Sequence, residues 1–221
     1  MDYLLDPNEV RVFGALIEKQ IATPDYYPLT FNSLLTACNQ KTARNPVTDY
    51  DEKEVTTAID GLREKGFAVQ INIAGSRAEK YRHRMDSFAE LDEKEIALIC
   101  VLMLRGAQTI GELRQRTERL YAFSDLAETE ESLKGLMERE DPEPLVAELP
   151  KEPGRKEKRY VHLFSDITAN ISTSETIITL PRSSPSQVQE KVETLESVVK
   201  ELQAEIKLLK EQFESFKQQF D

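Results

Sequence analysis

The stretch Gly75-Ser76-Arg77-Ala78-Glu79-Lys80-Tyr81-Arg82-His83 is echoed by Gly154-Arg155-Lys156-Glu157-Lys158-Arg159-Tyr160-Val161-His162, with Gly, Tyr and His at identical mutual spacing. Gly marks a turn in each copy, and Tyr and His fall on one face of the strand that follows it. Apolar and alternating runs before each turn supply a partner strand. The hairpins expected are 67–73 with 81–83, and 145–149 with 160–163. The duplication extends upstream. Gly61-Leu62-x-Glu64-Lys65 reappears as Gly135-Leu136-x-Glu138-Arg139, inside segments that open on Asp51-x-x-Glu54 and Asp125-x-x-Glu128, both close to a capping box. Thr30-Phe31-x-x-Leu34 matches Thr109-Ile110-x-x-Leu113, a Thr cap ahead of apolar residues at helical spacing. Farther out, Val10, Phe13, Leu16 and Ile17 have counterparts in Ile96, Ile99, Leu102 and Met103. Each half therefore reads as three helices and a hairpin.

Three helices, the last two a helix-turn-helix, followed by a two-stranded wing are the element order of a winged-helix domain. The fold class expected is mostly α with small β-hairpin wings: tandem winged-helix domains at 1–88 and 89–165. Composition then shifts. Residues 166–187 hold nine Ser or Thr with Pro181 and Pro185 and show no sustained period, as a flexible linker would. Over 188–221, Val188, Val192, Leu195, Val199, Leu202, Ile206, Leu209, Phe213, Phe216 and Phe220 alternate spacings of four and three. This is a coiled-coil seam, and β-branched a positions with Leu at d favour a parallel homodimer. The other reading is an amphipathic helix folded back on its own domains, which the three bulky phenylalanines would suit.

The 221 residues are 39% hydrophobic and 31% charged, enough to bury cores under a charged surface. Cys38 and Cys100 form no C-x-x-C and read as small buried hydrophobes in a reducing compartment. No signal-peptide pattern starts the chain, and its longest apolar stretch, 96–104, is far short of the roughly 20 residues of a membrane span. A cytoplasmic location without membrane contact is expected.

Further strings carry a family likeness. Thr23-Pro24-x-x-Tyr27-Pro28-Leu29, Ala37-Cys38-Asn39-Gln40-Lys41-Thr42-x-Arg44-x-Pro46-Val47 and Leu104-Arg105-Gly106-Ala107-Gln108-Thr109-x-Gly111-Glu112-Leu113-Arg114 resemble the YceH-like family of conserved bacterial proteins. Gly75-x-Arg77-x-x-Lys80-Tyr81-x-His83 and Pro153-Gly154-x-x-x-x-Arg159-Tyr160-x-His162-Leu163 fit the same pattern. The resemblance covers about residues 8–165. It implies a tandem winged-helix fold and a bacterial cytoplasmic protein, and it carries no assigned activity. Ala43 stands where the pattern has a polar residue.

Charge decides what such a fold could contact. The net charge is −11, and each half is acidic as a whole. Positive charge nevertheless gathers at the wings: Arg77, Lys80, Arg82 and Arg84 in the first, and Lys151, Arg155, Lys156, Lys158 and Arg159 in the second. Arg105, Arg114, Arg116 and Arg119 surround the second helix of the second half, while Lys41 and Arg44 follow that of the first. These places are where winged helices meet phosphates. Against this, both third helices are acidic and poor in base-reading side chains. Catalysis finds no support: G-x-S-x-G, phosphate-loop and clustered His/Cys motifs are missing, and no metal or other cofactor is implied. His83 and His162 read as strand side chains at the wing base. The polar run from Asn39 to Arg44 reads mainly as bracing for a long loop, with Lys41 and Arg44 as candidate contacts. The expectation is a nonenzymatic DNA-binding regulator; the other reading is a protein-interaction adaptor without DNA binding.

Overall fold

Asp6 starts the first helix: its carboxylate accepts from the N–H groups of Asn8 and Glu9 at 2.8 Å, and Glu9 accepts from the Asp6 N–H at 2.7 Å. That reciprocal pair is a capping box, which satisfies donors a helix end otherwise leaves orphaned. In the computed structural model the first half runs α1 (Pro7–Ala22), a 3-10 turn (Pro24–Tyr26), β1 (Leu29–Thr30), α2 (Phe31–Cys38), α3 (Glu52–Glu64), β2 (Ala68–Ile71) and β3 (Lys80–His83). A one-turn α4 (Met85–Phe88) leads on. The second half repeats the order as α5 (Glu93–Arg105), β4 (Gln108–Thr109), α6 (Ile110–Thr117), α7 (Leu126–Met137), β5 (Val146–Leu149) and β6 (Arg159–His162). The structure describes residues 4–72, 78–140, 143–150 and 157–165, all within the compact unit Met1–Glu175. The expected linker and the ten seam residues lie outside the described residues.

Helices and two small antiparallel three-stranded sheets, ordered β1-β3-β2 and β4-β6-β5, make up the fold. The sequence reading supplied two strands for each. The third is missing from it because β1 and β4 are two residues long, too short to show a period of two. Each nonetheless fixes the start of a helix, since Thr30 and Thr109 end their strands and cap α2 and α6. Capping boxes also open α3 at Asp51 and Glu54 and α5 at Asp92 and Glu95. At α7 the expected box is half formed. Asp125 accepts from the Glu128 N–H, but Glu128 turns its carboxylate to Ser124, Tyr121 and Lys94.

The repeated Gly-Leu-x-Glu-Lys/Arg string has a packing cause. The Glu of the first capping box in each half lies over the glycine of the third helix and pairs with the cation at its end: Glu9 with Lys65 at 2.5 Å, Glu95 with Arg139 at 3.2 Å. A Cβ on Gly61 would collide with Glu9 Oε1, whereas one on Gly135 would stand 3.5 Å from Glu95 Oε1. One carboxylate thus caps its own helix and ties it to another.

The two halves share one core. Every α1 residue from Glu9 to Glu18 and every α5 residue from Ala97 to Leu104 is buried, because these helices pack against their own half and against each other. Gly14 allows the approach: a Cβ there would come within 3.0–3.1 Å of Leu104 and Met103. Cys100 Sγ donates to the Gly14 carbonyl at 3.5 Å, and both cysteines are buried and free of a disulfide. Burial pushes the Cys38 thiol up to about 12. Backbone bonds from Leu5 to Phe164 (2.7 Å) and from Asn45 to Leu104 (2.9 Å) stitch the halves. Phe13 touches Phe67 of its own half and Phe164 of the other, with ring centroids 5.3 and 6.3 Å away. Full burial of such a side chain contributes about 1.5–3 kcal/mol. No helix among the described residues is long and apolar enough to cross a membrane.

Candidate nucleic-acid interface

The register of the first sheet sorts its side chains. Tyr81 and His83 are buried against the helices, whereas Lys80 and Arg82 project from the opposite face of the central strand β3, beside Thr30, Ile71 and Val69. Lys80 and Arg82 are partly exposed, and neither has an ion-pair partner among the described residues. Arg84 is exposed just past the strand, its N–H donating to the Phe67 carbonyl at 2.8 Å. Arg77, Arg155 and Lys156 lie outside the described residues, as do both turn glycines, Gly75 and Gly154.

In the second sheet Val161 stands where the first has Arg82, and the cations that are present are spoken for. Lys158 is 2.8 Å from Glu148 on the neighbouring strand, and the hydrogen bond to Glu148 raises its pKa. Arg159, the counterpart of Lys80, donates to the Ala107 carbonyl at 2.7 Å and stands 3.5 Å from Glu112. Glu112 also pairs with Arg116 at 3.2 Å, and Arg116 bonds Gln108. The structure thereby brings Arg116 and Arg159, far apart in sequence, onto one carboxylate. The capping pattern Thr109-x-x-Glu112 is the one sequence signal that could have placed that carboxylate there. Arg114 is exposed and bonds the Ser124 carbonyl at 2.9 Å, while Arg119 is exposed in the turn beyond α6.

Lys41 and Arg44 part company. Lys41 is exposed, but Arg44 is buried, its guanidinium making a fork to Glu18 at 3.0 and 2.8 Å and a bond to the Ala37 carbonyl at 2.8 Å. Burial alone would raise the Glu18 carboxyl; hydrogen bonding to Arg44 and its charge outweigh this and leave it below the ordinary value. Arg44 belongs to the interior because it stitches the loop to α1 and has no surface to offer. The rest of the run works alike: Asn39 exchanges two bonds with the Tyr50 backbone at 2.8 Å, and Gln40 bridges Lys19 and the Thr42 carbonyl at 2.9 Å each. Ala43 sits at φ 58°, a left-handed conformation that a polar Asn or a Gly tolerates better.

The histidines are core groups. His83 Nδ1 accepts from the Met85 N–H at 3.1 Å, and burial holds His162 down to about 4, neutral at ordinary pH. No group of three His, Cys, Asp or Glu able to hold a metal occurs among the described residues. Glu52, Glu54, Asp60 and Glu64 on α3, and Glu130 and Glu131 on α7, are all exposed. An open groove of about 440 Å³ runs along α2, lined by Lys19, Asn32, Ser33, Thr36 and the exposed Tyr26 among others.

Residues 5–155 match the family described as "Protein of unknown function, DUF480". A UPF0502 protein of Geobacter metallireducens is 51% identical over 165 residues, covering 75% of this chain and 74% of its own. A UPF0502 protein of Klebsiella pneumoniae is 45% identical over 206 residues, covering 91% and 94%. The UPF0502 protein YceH of Salmonella paratyphi A is 44% identical over 205 residues with the same coverage. Matches over 91% of the chain run past residue 165, so the likeness extends into the C-terminal segment beyond the span in which the sequence motifs were found.

Proposed function

This chain belongs to the DUF480 family, which includes the UPF0502 proteins, and we propose for it a nonenzymatic role as a pair of fused winged-helix domains that binds duplex DNA through phosphate contacts. The observation that carries this reading is the pair Lys80 and Arg82, on the outer face of a sheet and without an ion-pair partner among the described residues in a protein of net charge −11. Cations held clear of carboxylates are what an anionic duplex requires. Arg77, Arg84, Arg155 and Lys156 extend the contact at the wings, and Arg114 adds one from α6. Lys41 stands near the end of α2 and joins them. Arg44 drops out, and Lys158 and Arg159 contribute little because Glu148 and Glu112 already neutralise them. Binding of this kind reads backbone and shape. The acidic faces of α3 and α7 would be repelled by a major groove lined with phosphate.

Those same acidic faces favour a second reading, in which the domains dock a basic protein surface. Titration of duplex binding against salt separates the two. In the DNA reading, log K falls linearly with log salt, and Lys80→Ala with Arg82→Ala lowers the slope by roughly two. Absence of duplex binding at low salt leaves the adaptor reading. The heptads from Val188 to Phe220 we assign to a parallel homodimer, for which sedimentation of the full chain and of a chain ending at residue 187 is the test. A monomer in both cases would remove the dimer.

A further inference from the structure

The turn between α5 and β4 is crowded with guanidinium groups. Arg105 ends α5, and Gly106 follows at φ 70°. Gln108 folds back so that its Nε2 donates to the Arg105 carbonyl at 3.0 Å while its Oε1 accepts from Arg116. Arg159 closes the other side, donating to the Ala107 carbonyl. From the first half, the bond between the Asn45 N–H and the Leu104 carbonyl brings in the loop that carries Arg44, with Glu18 and Lys19 behind it.

Charge at this junction does not balance. Five cations, Lys19, Arg44, Arg105, Arg116 and Arg159, face two carboxylates, Glu18 and Glu112. Each carboxylate is already committed to other cations. Arg105 is half-buried and has neither an ion-pair nor a side-chain hydrogen-bond partner among the described residues. Burial, and next the charges of Arg116 and Arg44, lower its pKa. Gathering like charges in partly desolvated surroundings is costly unless an anion joins them.

We propose that this junction between the halves is a phosphate-binding site, in which the free fork of Arg105 makes the principal contact and Arg116 the second. An excess of more than one positive charge suits phosphate, either one dianionic group or neighbouring phosphodiesters, over a single carboxylate, and the planar guanidinium matches its oxygens two at a time. The site does not depend on the sheet-face contact proposed above. Its phosphate comes either from a nucleic-acid backbone or from a free phosphate compound.

Isothermal titration of the full chain with inorganic pyrophosphate at low salt tests the site. One-to-one binding is expected, weakened at least about tenfold by Arg105→Ala and less by Arg105→Lys, which keeps the charge but loses the fork. Lys134→Ala, an exposed cation on α7, leaves it unchanged. Arg105 makes no side-chain bond among the described residues, so its variants keep the parent melting temperature, and circular dichroism checks that they do. No saturable binding at millimolar pyrophosphate, or equal affinity in Arg105→Ala, overturns the proposal. Displacement of pyrophosphate by a random-sequence duplex assigns the site to backbone phosphate. Binding that resists the duplex assigns it to a free phosphate compound.

Discussion

Lys80 and Arg159 occupy the same place in two copies of one frame, and their surroundings differ. Each begins a central strand beside a two-residue partner, Lys80 opposite Thr30 and Arg159 opposite Thr109. Three residues beyond those threonines the first half has Ser33 and the second Glu112. Glu112 captures Arg159 and Arg116; Ser33 shares a 2.9 Å hydrogen bond with Thr30 and leaves Lys80 alone. Duplication kept the backbone register and the capping threonine, and a single helix position came to decide whether a wing cation is available. Charge counted along the sequence gives both wings equal weight; charge counted in space does not.

The largest effect separating the halves is expected at the buried fork of Arg44 and Glu18. In the second half the corresponding connection, from α6 to α7, spans only 118–125 against 39–51 in the first, so a shorter loop needs holding there. Arg44→Met would leave Glu18 buried with Lys19 alone, 3.1 Å away. A loss of roughly 3 kcal/mol in urea unfolding is expected, near the lower end of what breaking a buried pair costs. A loss below about 0.5 kcal/mol would mean that the loop is held by its other bonds and that the pair is incidental.

Legibility in the sequence followed the same division. Helices and the longer strands were readable because their signals are local: caps three residues apart, apolar residues at helical spacing, Tyr and His at a period of two. The glycine at 61 and 135 was readable as a repeat but not as a contact, since the capping glutamate that covers it comes from a helix some 50 residues earlier in the first half and 40 in the second. The candidate interface was least legible. Arg44, Lys158, Arg159 and Lys80 are all basic residues beside loops or turns, and what distinguishes them is which carboxylate the fold brings near. Pairing at a separation of 26 residues, as for Arg44 and Glu18, leaves no local trace.

The paired glycines offer a smaller but cleaner contrast. Alanine in the middle of a helix is favoured over glycine by about 1 kcal/mol, and at Gly135 the nearest foreign atom to an added Cβ is at ordinary contact distance, 3.5 Å. Gly135→Ala should therefore stabilise by up to about 1 kcal/mol. At Gly61 the same change drives against Glu9, which is 3% exposed and already holds the Asp6 N–H and Lys65. Displacing it breaks both bonds, so Gly61→Ala should destabilise by about 1 kcal/mol despite the helix preference. Opposite signs in a denaturation series are the expected result; a gain at both positions would show that Glu9 can move aside freely.

The smallest change in stability carries the sharpest test. Ser33 is exposed at the third position of α2, with its N–H already bonded to the Thr30 hydroxyl at 3.3 Å. Ser33→Glu supplies the carboxylate that completes a capping box, as Glu112 does after Thr109, where it accepts from the Thr109 N–H at 2.9 Å. A gain of a few tenths of a kcal/mol is expected from the cap and the helix dipole together. The same carboxylate should come within reach of Lys80, as Glu112 does of Arg159. If Lys80 contacts phosphate, duplex affinity should fall by roughly three- to tenfold at low salt, with the salt slope reduced by about one. A variant that is slightly more stable and yet binds more weakly would tie the loss to charge, since unfolding cannot explain it. A variant with unchanged affinity would place the duplex contact elsewhere, away from the first sheet.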